Sequence, residues 1–277
     1  MLTLRRSAAS IALRAVLPIL GLGAACTGAR PAPPAAPWKP LRAATLDEVL
    51  SAYDAYCESG KTLSASGDLD VRDRRTGKGR TLGVRVVATR GGRLYLKGTV
   101  SVVTALEVVS DGERFWFQVP SKKTVWTGPA ALAVREAGSD DAPYQAIRPS
   151  DVTSALLPEP LVPAAGEAVL LEADRESFTL TLAASAAGRG VARRRVSVDR
   201  DTLRPRVLRR YDTRGELETD VSLSAWAGGQ PRQVDIRRPL EGYEASFRFH
   251  KVEANVPAPE RAFVPRTPRG YAVVEVR

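Results

Sequence analysis

The chain has 277 residues, with 41 Lys and Arg against 31 Asp and Glu, a formal charge of +10. Hydrophobic residues make up 44% and charged residues 26%, a globular rather than a disordered composition. One histidine, His250, and two cysteines, Cys26 and Cys57, argue against a His-ligated metal site, a Ser/Cys–His catalytic pair and a disulfide framework.

Residues 1–25 read as an export signal. Arg5 and Arg6 make a positive start, and Ile11 to Gly23 is mostly apolar, interrupted by Arg14 and Pro18. The uncharged run is shorter than the ~20 apolar residues of a membrane-spanning helix, and no later stretch is long enough. Gly23, Ala24 and Ala25 then lead to Cys26, and cleavage at an ordinary small-residue site is one reading. The other is that Leu22-Gly23-Ala24-Ala25-Cys26 resembles a bacterial lipobox, with Gly23 where Leu is usual. That resemblance implies a diacylglycerol on the Cys26 thiol and anchoring to a membrane by lipid alone. Thr27 stands where Asp would retain a lipoprotein in the inner membrane. By the same resemblance the protein is expected at the outer membrane, facing the periplasm. Pro31, Pro33, Pro34, Pro37 and Pro40 make residues 26–44 an extended, semi-rigid tether. The folded domain is expected over 45–277.

Thr45-Leu46-Asp47-Glu48 fits a capping box. Leu46, Val49, Leu50, Tyr53 and Cys57 follow at helical spacing, and Gly60 is a stop. Cys57 reads as a buried thiol on that helix. Beyond it the period becomes two. Leu63 to Val71, Leu82 to Ala88 and Leu94 to Gly98 alternate with polar residues, with turns at Thr76–Gly79 and Gly91-Gly92. Asp111-Gly112 is a hairpin signal between Val108-Val109 and Phe115-Trp116-Phe117. Alternation resumes at Phe178–Leu182, Val196–Val198, Val207-Leu208, Leu217–Ala225, Val234–Ile236 and Phe247–Phe249, for about a dozen strands with no βαβ rhythm. Between the two blocks lies Pro129–Pro163. A short helix is expected from Ser150 to Leu157, and a second over Ala130–Ala137.

One apolar sheet face with two or three short helices cannot stay open to water. The sheet must curl on itself, and a large curled sheet encloses space. The expected fold is mainly β (α+β): a curved antiparallel sheet forming an incomplete barrel, plugged by the helices. A filled β-sandwich remains the alternative, because periodicity does not see voids.

Several strings resemble the LolA/LolB-like lipoprotein carriers and their relatives. They are Arg93-Leu94-Tyr95-Leu96-Lys97, Leu106 to Trp116 (LEVVSDGERFW) and Lys123-Thr124-Val125-Trp126. The second half adds Val196-Ser197-Val198-Asp199 with Leu203-Arg204-Pro205, then Val252 to Pro257 (VEANVP) with Phe263-Val264-Pro265. The resemblance runs over 45–275. It implies a half-barrel of about eleven strands, helices as a lid, and an apolar cavity for acyl chains, which bind without directional contacts at about 25 cal/mol per Å². The departures are the lipobox, a longer middle insert and a more basic surface. They favour a membrane-tethered receptor over a soluble carrier.

The residues expected to line that cavity are Leu82, Val84, Val86, Leu94, Leu96, Phe115, Phe117, Leu180, Leu182, Val221, Leu223, Phe247 and Phe249, with Leu156 and Leu157 on a lid. Ordinary core packing is the competing reading for each. Thr99–Leu106 reads either as a plain strand or as a loop whose Val100, Val102 and Val103 touch membrane or acyl chains. Arg193-Arg194-Arg195, Arg209-Arg210 and Arg237-Arg238 read first as a solvated outer face, then as a contact for anionic headgroups. No recognition helix for nucleic acid is present. Asp68/Asp70 and Glu216/Glu218 are solvated strand carboxylates, and His250 between Arg248 and Lys251 is a poor base. No catalytic residue, metal site or cofactor beyond a bound lipid or acyl chain is expected. The expected protein is a monomeric non-enzyme. Its partners are lipid or acylated lipoprotein cargo, the membrane through its own lipid, and a protein donor or acceptor. The alternative is an envelope lipid sensor or scaffold that binds a protein partner.

Overall fold

Each segment where apolar and polar residues trade places is a strand in the computed structural model, which describes residues 41–134, 143–186 and 189–277. The export signal, Cys26 and the tether up to Pro40 lie outside the described residues. In chain order the elements are α1 (Leu46–Ser59), β1 (Thr62–Asp73), β2 (Gly79–Thr89), β3 (Arg93–Val100), β4 (Val103–Asp111), β5 (Arg114–Val119) and β6 (Thr124–Pro129). Then come α2 (Pro149–Leu156), β7 (Glu167–Ala173), β8 (Ser177–Ala186), β9 (Arg189–Asp199), β10 (Pro205–Tyr211), β11 (Leu217–Ala227), β12 (Gln230–Arg238), β13 (Tyr243–Ala254) and β14 (Ala272–Glu275).

The fourteen strands of the described residues belong to one open sheet, ordered β14-β6-β5-β4-β3-β2-β1-β13-β12-β11-β10-β9-β8-β7. The mainly β, curved and unclosed architecture is the expected one, with more strands than expected. The extra ones are the edges. β7 reads Glu-Ala-Val-Leu-Leu-Glu-Ala, a four-residue apolar run between two glutamates with no period of two. β14 pairs with β6 in parallel, the one exception to the antiparallel ladders. The two strands are far apart in sequence, as a parallel pair requires, and residues 255–271 bring the chain from the end of β13 to β14. Within it the turn Glu260–Phe263 packs on β3 and β4, with Phe263 buried and the Arg93 guanidinium 4.3 Å from its ring centre.

The curl has local causes. Register shifts interrupt the ladders at Ser66/Gly67, Gly98/Thr99, Leu182/Ala183, Pro205/Val207 and Arg210/Tyr211. Each such bulge sharpens twist and bends its strand. At Gly67 a side chain would overlap the Arg248 carbonyl on β13, so only glycine lets the two strands approach there.

α1 begins at the expected capping box. The Glu48 amide donates to Thr45 Oγ1 (3.3 Å) and the Thr45 amide to Glu48 Oε2 (2.7 Å). Its buried stripe is Val49, Tyr53 and Cys57. α2 matches the expected short helix, starting at Pro149, the first-turn position that proline tolerates. Residues 130–134 are not helical, a correction for that part of the expected Ala130–Ala137 helix. Leu132 and Val134 instead tuck into the core in an irregular segment, where packing overrides alanine's propensity. Residues 135–137 lie outside the described residues.

Candidate functional site

The concave face is built by the inward residues of every ladder. One row runs Val252–Ala65–Val86–Leu96–Val108–Phe117–Trp126 across β13, β1, β2, β3, β4, β5 and β6. A second runs Val71–Ala245–Ile236–Val221–Leu208–Val196–Leu180 across β1, β13, β12, β11, β10, β9 and β8. The expected cavity-lining residues all lie on this face or on α2 and the residue after it, and none is more than 8% exposed. They share one apolar cluster with Val49, Tyr53, Val152 and Ala155 of the two helices. α2 sits inside the curl. It touches β2, β3 and β4 on one side and β12 across the hollow.

The side of α2 toward β10–β12 is polar, which alternation alone did not suggest. Asp151, in its first turn, is 2% exposed. Its carboxylate accepts from Arg210 Nη2 (2.9 Å) and Arg238 Nη1 (2.8 Å). Glu218 accepts from Arg210 Nε (2.9 Å) and Arg238 Nη2 (3.2 Å), and Glu241 accepts from Arg238 Nη2 (2.9 Å) and from Arg148. Thr219 Oγ1 accepts from Arg238 Nη1 at 3.1 Å. In the same row, Arg194 donates to the carbonyls of Glu159 (2.6 Å) and Pro160 (2.9 Å), just beyond α2. α1 holds the same stretch. Tyr53 Oη donates to the Glu159 carbonyl at 3.1 Å, and the Leu161 amide to Asp54 at 3.3 Å. Polar bonds from three strands and one helix therefore clasp α2 and the segment behind it.

This corrects the solvated-face reading of the arginine runs. The period of two splits each run. Arg194, Arg210 and Arg238 share parity with Val196, Leu208 and Ile236 and point inward. Arg195, Arg209 and Arg237 point outward, where they meet Glu172 (3.0 Å), Asp220 (3.2 Å) and Glu244 (3.6 Å). Glu218 is likewise not a freely solvated strand carboxylate. It lies beside the Arg210/Tyr211 register shift, which brings it to the inward guanidiniums. The signal was present in the sequence: Val234-x-Ile236-x-Arg238 places an arginine on a buried row.

Burial shapes the chemistry. Arg238 is 3% exposed, and its burial opposes its charge, but Asp151, Glu241 and Glu218 more than compensate and raise its pKa above the ordinary value. Burial would also raise Glu218, and Arg210 and Arg238 outweigh it, so its carboxyl is held below the ordinary value. Burial pushes the Cys57 thiol up to about 11, and that of the Tyr53 phenol well above its usual value. Such a thiol is inert rather than nucleophilic. His250 is an exposed surface residue 3.1 Å from Asp68. Among the described residues there is no group of three or more metal-ligating side chains, and no helix is long and apolar enough to cross a membrane.

The expected strand at Thr99–Leu106 and the alternative loop both have a place. Thr99 pairs with Thr104 and Val100 with Val103, the last pair of the β3/β4 ladder, and Ser101-Val102 turn between them, so that Val100, Val102 and Val103 are exposed at the hairpin tip. Val102 is 94% exposed, and Ser101 beside it adopts a left-handed φ of 54°. Alongside α2 a cleft of about 140 Å³ opens toward β10 and β11, floored by Leu208 and Val221.

No protein-family model matches the sequence, and no curated protein matches it. Solved structures do match in fold. A DUF1329 family protein from Desulfovibrio piger has a TM-score of 0.52 at 15% identity, covering 78% of this chain and 94% of that one. A LolA superfamily protein from Nitrosomonas europaea has a TM-score of 0.48 at 11% identity, covering 80% and 99%. A domain named for outer-membrane lipoprotein sorting, from Vibrio parahaemolyticus, has a TM-score of 0.48 at 11% identity, covering 77% and 95%. The open sheet with helices on its concave face is the arrangement that the LolA/LolB-like resemblance implied.

Proposed function

We propose that this protein is a lipid-anchored envelope lipoprotein that takes acyl chains of lipids or acylated proteins between its concave sheet face and α2. It would serve their trafficking to or at the outer membrane, without catalysis. One observation carries the reading: the part of the apolar face along β2–β4 is covered by one short helix, α2, that polar bonds hold in place. Eight residues are too few for a helix stable on its own. Water can replace the bonds of Asp151 and Arg194, whereas it cannot replace the sheet's apolar contacts. Opening at α2 therefore asks less than separating the central ladders of the sheet. An acyl chain entering beneath α2 gains about 0.8 kcal/mol per buried CH₂. When empty, the same face closes on the helix and stays dry. The exposed Val100, Val102 and Val103 tip supports contact with a membrane or with incoming chains. Cys26, through its lipid, supplies the anchor in this reading.

The test is native mass spectrometry of the full chain recovered from the envelope, followed by lipid extraction. A stoichiometric co-purifying lipid or acylated peptide is the expected result. A mass without ligand, unchanged after incubation with phospholipid and triacylated peptide, would remove the carrier reading. A second reading, a scaffold for a protein partner, draws on the free edge of β7, where Leu170 is 54% exposed. Edge strands present unpaired backbone groups that another chain can extend.

A further inference from the structure

The cleft beside α2 joins two kinds of surface. Its floor is Leu208 and Val221, paired across β10 and β11 and continuous with the apolar concave face. Its rim carries Arg194 and Arg210, which are register partners on β9 and β10. Two guanidiniums directly opposite each other repel unless anions lie between them. Arg210 has its anions in Asp151 and Glu218. Arg238 shares both and adds Glu241, which also serves Arg148. Arg194 has no carboxylate within ion-pair distance among the described residues, and its bonds go to the two carbonyls of Glu159 and Pro160. Glu159 also borders the cleft but meets Arg194 through its backbone oxygen. The inward row thus sets Arg148, Arg194, Arg210 and Arg238 against Asp151, Glu218 and Glu241. The uncompensated charge is at Arg194, at the mouth of a cleft that reaches the apolar face.

We infer that this cleft binds an anionic amphiphile, with the first methylenes of its chain on Leu208 and Val221 and its oxyanion headgroup on the Arg194 guanidinium. Carboxylate and phosphate oxygens both match the planar donor fork of arginine. An apolar pocket with a few placed polar groups is the usual form of a ligand site. Binding the anion also relieves the repulsion between Arg194 and Arg210. The inference rests on the acyl-chain reading above and narrows it, from any acyl chain to one that carries a negative head.

The experiment measures three probes on the full-length protein by displacement of a fluorescent neutral acyl probe, each below its micellar concentration. The probes are palmitate, hexadecyl phosphate and 1-monopalmitoylglycerol. At least one anionic probe should bind about tenfold more tightly than the neutral one, the scale of a charged hydrogen bond. Which of the two gains more tells a fatty-acid source from a phospholipid one. Arg194→Gln should remove that preference, bringing the anionic probes to the affinity of the neutral one. Arg194→Lys, which keeps the charge and loses the fork to the carbonyls, should retain most of it. Equal affinity for all three probes would overturn the headgroup site and leave the acyl-chain reading standing. An equal loss for all three in Arg194→Gln would make Arg194 a tether for the Glu159–Pro160 segment and also overturn it. No binding of any probe would overturn both readings together.

Discussion

α2 is held by two parts of one sheet in two different ways. Toward β2–β4 it offers Val152, Ala155 and Leu156 to a wall that is apolar throughout, built of Leu82, Leu96, Leu106 and their neighbours. Toward β10–β12 it offers Asp151 to Arg210 and Arg238. The first contact is non-directional and survives a shift of an ångström. The second fixes position, because a buried carboxylate between two guanidiniums has few acceptable places. Buried ion pairs add little net stability over well-packed apolar residues, yet losing one partner is severe. The comparison teaches that the apolar wall makes the helix stay, and the arginine row decides where it stays.

The largest effect should come from removing the shared carboxylate. Asp151→Ala takes from the buried Arg238 its closest carboxylate and leaves Arg210 and Arg238 sharing Glu218 alone, and should lower unfolding free energy by about 3–5 kcal/mol. Leu96→Ala, on the apolar wall, should lose about 2–5 kcal/mol through a cavity. Urea denaturation reads both. The comparison is sharpened by the pair Asp151→Leu with Arg238→Met, which should recover most of the loss, since matched apolar residues replace a buried pair well. A loss below about 1 kcal/mol in Asp151→Ala would show that the row does not hold the helix.

Acid offers a gentler break. Glu218 has a folded pKa below its ordinary value, so the folded state binds its proton more weakly than the unfolded chain does. Its contribution is present above the ordinary carboxylate range and fades as pH falls through the folded value. Asp73, Asp174, Asp199 and Asp212 in the turns are depressed too, so overall stability drops in the same window. The local test is hydrogen exchange. Amides of α2 should lose protection before those of β2–β4 as pH falls, and equal loss would mean that the arginine row opens only with the whole fold.

Much of this was legible in the sequence, and the remainder has definite causes. The capping box at Thr45, the alternating strands and the turn at Asp111-Gly112 depend on neighbours in sequence, and they stand where they were expected. β7 was not legible because Ala168–Leu171 has no polar partner residues to mark a face. β14 was not because its partner, β6, is far along the chain and parallel. The inward arginines were half legible. Their parity was written in Arg194-x-Val196 and Ile236-x-Arg238, but a charged residue on a buried row makes sense only once Asp151 is known to reach it from α2. That contact depends on how far the sheet curls, which bulges such as Ser66/Gly67 set and composition does not.

Cys57 provides a smaller test on the opposite helix. Its thiol is buried and raised to about 11, so peptide mapping after iodoacetamide at pH 8 should find it unmodified in the native protein and modified after unfolding. Native labelling would mean that α1 leaves the sheet as readily as α2 is argued to do.

The smallest change in stability is expected where the proposed function would suffer most. Val102 is almost fully exposed at the β3–β4 tip and belongs to neither the apolar wall nor the arginine row. A charge there removes no packing, so Val102→Asp should leave unfolding free energy within about 0.5 kcal/mol. A membrane meets the tip differently from water, because an aspartate resists entry into an apolar layer. The same variant should therefore lose vesicle binding or acyl-chain delivery while retaining its fold by circular dichroism. Val103→Asp, at 67% exposed, should follow it. Leu106→Asp, three residues on and fully buried, should instead fail to fold. If Val102→Asp unfolds the protein, the tip is part of the structural strand. If it folds and delivers normally, the exposed valines serve neither membrane nor cargo, and entry at α2 must work without them.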